Sequence, residues 1–265
     1  MQEPTTAMAP AKIRQPQAYA ASSLERALSI LEAFTEERPV LTLSEVVQLT
    51  GLNKTTAFRL LAVLCRRGFV SRRQGTGQYT AGVRAVAFAG AYHRQFSLLD
   101  VVRPVIASIR DQVNETIILG LRHGYYRIDV EYSRCSHQLQ AVVTLGVEKP
   151  LHVGAGGRAL LSSLSAPELA DYFACVERRP LSKTTLVEQH DIEEALVQIR
   201  RQGFAESFGE ANTGLAGIAA PINDPRVQPA AALIASIPMQ RLSPELRERV
   251  TAAFLHGVQE IRRRL

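Results

Sequence analysis

From Leu43 to Arg73 the apolar positions form two short helical patterns separated by a glycine. Ser44 and Glu45 open the first, with Val46, Val47 and Leu49 behind them. Gly51 breaks it, because glycine tolerates the positive φ of a sharp turn between helices. Leu52 packs the corner, and Asn53 is a natural N-cap. In the second pattern Ala57, Leu60, Leu61 and Leu64 recur at the i, i+3, i+4, i+7 spacing of a buried face. Upstream, Leu24, Leu28 and Leu31 form an apolar stripe that Ala27, Ile30 and Phe34 widen. They predict a helix capped by Ser22 or Ser23 and running to about Thr35. Downstream, Gly68 stops the second helix, and Phe69-Val70-Ser71 begins a strand. Gly75-Thr76-Gly77 turns it and Gln78-Tyr79-Thr80 returns it.

After Gly82 the pattern changes. Val83 to about Tyr92 is an Ala-rich helix with almost no charge, which is expected to pack against its twin in a dimer. A second helix follows from about Leu99 to Val113, with Pro104 near its start. Strands are predicted over Thr116–Leu121, Tyr126–Tyr132, Leu139–Thr144, Phe204–Phe208, Gly217–Ile222 and Ala230–Ile237. Helices are predicted over Ala155–Leu164, Pro167–Val176, Ile192–Arg201 and from Pro244 to about Arg264. Strands in hairpin-like clusters with helices between them imply an α+β fold with a mainly antiparallel sheet.

Charge sharpens the first third. From Gly51 to Gly82 the charged residues are Lys54, Arg59, Arg66, Arg67, Arg72 and Arg73, with no Asp or Glu. A solvated face usually mixes signs, so a single-sign block points to a phosphate partner. Two short helices around a glycine also occur in ordinary all-α cores; the basic hairpin makes this pair a winged helix-turn-helix. Lys54, Thr55, Thr56 and Arg59 stand at the end of the second helix that would enter a major groove, with Ser44 and Asn53 beside them. Arg72 and Arg73 lie on the wing, where they would meet backbone or minor groove. Arg66 and Arg67 read as a solvated helix end that complements the dipole.

The chain has 265 residues and a formal charge of +6, enough length for two domains. No apolar run approaches the ~20 residues of a membrane span. Residues 1–21 lack the apolar core of a secretory signal. They read as a flexible arm rather than as a DNA contact made through Lys12 and Arg14. Cys65, Cys135 and Cys175 are far apart and in no CxxC pattern, so the cytoplasm is the expected compartment. The scattered histidines offer no metal-ligand pair, and no cofactor is expected.

Gly154-Ala155-Gly156-Gly157-Arg158-Ala159 matches GxGxxA, the weaker dinucleotide fingerprint. That fingerprint needs a buried strand before it and an acidic residue at a later strand end. Pro150 stands too close, and Asp171 falls in a predicted helix. Free N–H groups at a helix N-terminus still attract a small anion, although the glycines equally suit a helix packed tightly on the sheet. Enzyme motifs are missing: there is no GxSxG, and Glu206, Ser207 and Glu210 make no triad by proximity in sequence. A sensor acting on a protein partner is the remaining alternative to a DNA-binding regulator.

Four stretches carry a resemblance. SLERALSILEAF, LSEVVQLTGLNKTTAFRLLAVLCRRGFV, PLHVGAGGRALL and GFAESFGEANTGLAGIAAPIND, in that order, resemble the IclR family of bacterial transcription regulators over roughly Ser22 to Leu265. The resemblance implies a flexible arm (1–21), a winged helix-turn-helix domain (22–82), a linker helix (83–98) and a GAF-like effector-binding domain (99–265). It implies homodimers or homotetramers that bind a double-stranded operator under control of a small organic acid, often aromatic. It also implies effector contacts at Ala155, Gly156, Ser207, Gly217, Ile234 and Ser236. Members that bind very small keto acids resemble this pattern with more polar linings. Ser207, Gly217 and Ile234 are therefore expected to make a roomier, more apolar pocket for a larger acid.

Overall fold

The computed structural model describes residues 22–35, 38–95 and 97–265, with backbone alone over 92–95 and at 97. The expected arm, with Lys12 and Arg14, lies outside the described residues. Described residues through Ser97 form one compact unit and Leu98–Leu265 another.

The first unit contains α1 (Ser22–Glu32), β1 (Val40–Leu41), α2 (Leu43–Thr50), α3 (Lys54–Arg67), β2 (Val70–Arg72), β3 (Tyr79–Ala81) and α4 (Val83–Gln95). The strands form an antiparallel sheet in the order β1-β3-β2, of which β1 was not expected. Ile30, Val46, Ala57, Leu61, Val70 and Tyr79 enclose the core. Only the C-terminal end of the leucine stripe of α1 reaches it: Leu31 packs against the core, whereas Leu24 is 60% and Leu28 46% exposed. The helix carries two apolar rows, and the one ending in Ile30 and Ala33 turns inward. The cap of α2 is Thr42 rather than Ser44. Its hydroxyl accepts the Glu45 N–H while the Glu45 carboxylate accepts the Thr42 N–H at 2.7 Å, a reciprocal capping box.

The second unit contains α5 (Ser97–Val113), β4 (Thr116–His123), β5 (Tyr126–Ser133), β6 (Glu148–Pro150), α6 (Gly154–Leu161), α7 (Ala166–Cys175), α8 (Gln189–Gln202), β7 (Ala205–Phe208), β8 (Leu215–Ile222), β9 (Ala231–Pro238) and α9 (Pro244–Arg264). Six strands pair antiparallel throughout, in the order β6-β5-β4-β9-β8-β7. On one face, α6, α7 and α8 cover a core that includes Ile118, Leu160, Tyr172, Ile192 and Ile234. On the other, α9 lies along β8 and meets α5, where a Cβ on Gly257 would come 2.7 Å from Ile109 Cδ1. The central strands are thus covered on both sides, which is why they read as continuous apolar runs rather than alternating ones.

The expected strand at Leu139–Thr144 does not form. Leu139 and Val142 are exposed there, and the outer edge of β5 is taken by β6 instead. The Gly146 N–H donates to the Asp129 carbonyl, using backbone that a further strand would need. Opposite, β5 carries a bulge. Leu119 pairs with Glu131 and Gly120 with Asp129, so Val130 has no opposite residue.

Candidate functional site

Two places concentrate functional chemistry, one in each unit. In the first unit, Asn53 Oδ1 accepts the Thr56 N–H at 2.8 Å and fixes the start of α3. Both residues contribute first to the helix cap, and Thr56 is half-buried. Lys54, Thr55 and Arg59 are exposed on the same end of α3, and Ser44 is exposed on α2. Their arrangement leaves cationic and hydroxyl groups facing outward while Ala57, Leu61 and Leu64 anchor the opposite side. On the wing, Arg73 is exposed and the Arg72 guanidinium lies 5.9 Å from the Tyr79 ring centroid, which braces it.

In the second unit, sheet register builds the floor of a cup beneath α6. Ser207, Gly217 and Ser236 lie side by side across β7, β8 and β9. The next row on the same face holds Ala205, Ala219, Ile234 and Ile118. Above them stands the first turn of α6. A Cβ on Gly217 would come 2.7 Å from Ser207 Oγ and 3.3 Å from the Ala155 Cβ. Ile234 Cδ1 reaches within 2.6 Å of where a Gly156 Cβ would stand. Ala155, Gly156, Ser207, Gly217 and Ile234 are therefore brought together, and Ser236 joins their row.

The Ile234 side chain and the Arg127 guanidinium converge on Gly156, where a Cβ would overlap Arg127 Nη1. Beside the apolar row, β5 and β6 add charge through Arg127, Asp129 and Lys149. Asp129 has no exposed side-chain surface, and its carboxylate lies 2.9 Å from Arg127 Nε and 2.6 Å from Lys149 Nζ. Burial pushes its pKa up, but the two adjacent cations outweigh burial and hold it below the ordinary value.

The N-terminus of α6 is partly occupied from within. Val153 offers no side-chain cap, and the Gly154 N–H donates to Glu210 Oε2 at 3.2 Å. Glu210 is in turn gripped by both terminal nitrogens of buried Arg158, whose Nη2 also donates to the Glu206 carbonyl at 2.6 Å. The N–H groups of Ala155 and Gly156, in the same first turn, lack intrahelical acceptors and keep the anion affinity of a helix start. His152 steadies the approach to this turn. Its Nε2 is 3.1 Å from the Arg179 carbonyl, which can only accept, so Nδ1 accepts from the Tyr172 hydroxyl at 3.2 Å. Burial pushes the His152 pKa down and keeps the ring neutral.

Among the described residues, no grouping of His, Cys, Asp and Glu suits a metal ion, and no helix is long and apolar enough to cross a membrane.

Residues 90–263 match the model for the bacterial transcriptional regulator IclR C-terminal region, and residues 23–74 match the IclR helix-turn-helix domain. The chain belongs to the IclR family. Among its relatives is the transcriptional repressor IclR of Escherichia coli (strain K12), 26% identical over 254 residues, covering 95% of this chain and 93% of that protein. A solved IclR regulator from Alicyclobacillus acidocaldarius superposes with a TM-score of 0.79 at 19% identity, covering 92% of this chain and 99% of that one. An IclR homologue from Microbacterium hydrocarbonoxydans, solved with 4-hydroxybenzoate, gives 0.77 at 21%, covering 92% and 100%. This IclR-family chain is a bacterial transcriptional regulator.

Family motifs lead to the α6 turn and to β7, β8 and β9, but they do not lead to Arg127, Asp129 or Lys149. In YRIDVEY, period-2 alternation groups Arg127 and Asp129 with Glu131, as on a solvated face. The bulge separates them. Glu131 faces α5, where it pairs with Arg103 at 2.6 Å, while Asp129 and Arg127 face α6. The sequence signal that could have found them is Gly120, a glycine inside an otherwise apolar strand, which marks a bulge or a close approach.

Proposed function

We propose that this regulator binds a partly palindromic double-stranded operator as a homodimer or homotetramer, and that a small organic acid held in the α6 cup alters that binding. The observation that carries the reading is the acid-free block from Gly51 to Gly82, displayed on a capped helix and its wing. Lys54, Thr55 and Arg59 are the groove-facing contacts, supported by Ser44, Thr56 and the Asn53 cap. Arg72 and Arg73 contact the flanking backbone or minor groove. Ala155 and Gly156 offer N–H groups to the acid's carboxylate. Ser207 offers a hydroxyl, and Gly217, Ile234 and Ser236 shape the space around the remainder. An aromatic monocarboxylate of the kind bound by the Microbacterium homologue is the class to test first.

Self-association is supported by α4, whose Val83, Val86 and Phe88 are 78%, 73% and 73% exposed. Such a charge-poor apolar surface calls for a partner, and a second copy satisfies the symmetry of a palindromic site.

Gel-shift with DNA from upstream of the protein's own gene tests the reading. Salt-sensitive, sequence-specific retention is expected. Arg59→Met is expected to lose ~1–3 kcal/mol if Arg59 holds a guanine edge. Absence of retention at every salt concentration refutes operator binding. Effector and operator must also change each other's affinity by the same factor; an acid that binds equally with and without operator removes the coupling.

A further inference from the structure

Arg127, Asp129 and Lys149 form a cluster in which one fully buried carboxylate lies between two cations. Buried charge is tolerated when it is paired, and the Asp129 carboxylate meets both cations. The first turn of α6, against which Arg127 lies, adds further positive potential rather than offsetting it.

The Arg127 side of this pairing is incomplete. Arg127 Nε approaches Asp129 Oδ1 at 2.9 Å, yet neither atom makes an aligned hydrogen bond, and Nη2 reaches Oδ2 only at 3.4 Å. Arg241, by contrast, grips Glu115 with two bonds of 2.7 and 2.6 Å. The Arg127 fork is therefore held to Asp129 by a close ion pair and one long hydrogen bond rather than by two aligned ones. Its shaft crosses Gly120, where a Cβ would fall 2.9 Å from Cδ, and its Nη1 ends against Gly156. Both glycines are needed for a guanidinium to lie there, and only 11% of the Arg127 side chain is exposed.

We propose that Arg127 is the residue that recognises the effector's carboxylate: the acid supplies a second negative charge, accepting from the Arg127 fork and from the N–H groups that open α6. The inference rests on an acid occupying this cup and adds the residue that selects its charge. Lys149 keeps Asp129 neutralised when the fork turns to the ligand. The site thereby prefers a carboxylate to its uncharged amide, and any apolar portion of the ligand lies toward Ile234.

Isothermal titration of the full chain with acetate, succinate, benzoate and 4-hydroxybenzoate, and with benzamide as the uncharged counterpart, provides the test. At least one acid is expected to bind while benzamide does not. Arg127→Met is expected to weaken acid binding about tenfold or more, and Arg127→Lys less, since it keeps the charge but loses the fork. Asp129→Asn leaves the cations less neutralised and is expected to tighten binding, a change of opposite sign that mere structural damage does not produce. Far-UV circular dichroism and cooperative melting verify that each variant folds. If Arg127→Met binds acids within twofold of wild type, the role of Arg127 is overturned and the acid effector stands. If none of the acids binds the wild type, both readings fall.

Discussion

Replacing Arg158 by Met tests whether the start of α6 is held by a buried ion pair. The Arg158 side chain is 4% exposed and that of Glu210 is 7%. Arg158 donates to both Glu210 oxygens and to the Glu206 carbonyl. Methionine fills similar volume but leaves Glu210 with the Gly154 N–H and the Thr185-anchored loop around it. Removing one partner of a buried pair costs about 3–5 kcal/mol, because the other charge stays buried without compensation. For a unit of this size each kcal/mol lowers the melting temperature by about 2–4 °C, giving a loss of about 6–20 °C. Differential scanning calorimetry of the full chain reads this as a downward shift of the transition belonging to the larger unit. Arg158→Met combined with Glu210→Leu removes both charges and is expected to recover more than half of the loss. A single variant that melts within about 2 °C of wild type, or a double variant worse than the single by a further large step, refutes the idea that this ion pair anchors α6.

Asn53 separates capping from DNA contact: Asn53→Ala is expected to cost about 0.5–2 kcal/mol through loss of the cap, whereas Asn53→Asp keeps the cap and weakens operator binding by placing a negative charge at the groove; calorimetry and gel-shift on the two variants check this. His152 has a folded pKa lowered by burial from 6.5, offset in part by its bond to Arg179 and lowered further by the Arg178 and Arg158 charges. The unfolded chain therefore takes up a proton that the folded chain does not. The contribution of neutral His152 is complete above 6.5 and is lost as pH falls below it. Thermal melts at pH 8 and 5.5 are expected to differ more for wild type than for His152→Gln. Asp129, whose folded pKa is lowered, stabilises the fold above its ordinary carboxylate range and loses that contribution as pH falls through its lowered value; Asp129→Asn should flatten that acid limb in a pH-titrated melt. Val86→Asp with Phe88→Asp is expected to lower the mass measured by light scattering without lowering the melting temperature of the larger unit, if α4 is the surface that self-associates.

The helices and most strands were legible because their signals are local. Ser165 with Glu168, Asn53 with Thr56, and Gly68 at a positive φ each act within a few residues of themselves. The α6 cup was legible only through the family motifs, since Ser207, Gly217 and Ser236 meet through register between three strands. Thr42 was missed because Ser44 and Glu45 already read as the opening of the helix, two residues beyond the true cap. Leu139–Thr144 was misread because an apolar run becomes a strand only when a neighbouring edge is free, and β6 holds that edge. Arg127 and Asp129 were invisible for a different reason: their face is decided by pairing with β4, not by their own neighbours.

Val130 carries a consequence for comparing regulators of this family. A relative whose β5 runs without an extra residue matches this strand on both sides of position 130 only if a one-residue gap is placed there. A gapless comparison shifts everything before it by one, so residues lining the relative's cup would be set beside Ile128 rather than Arg127 and beside Val130 rather than Asp129. Ligand preference read down such columns would then be assigned to the wrong side of the sheet. Spatial superposition, anchored on Gly120 and Gly156, is the comparison that keeps the two cups in step.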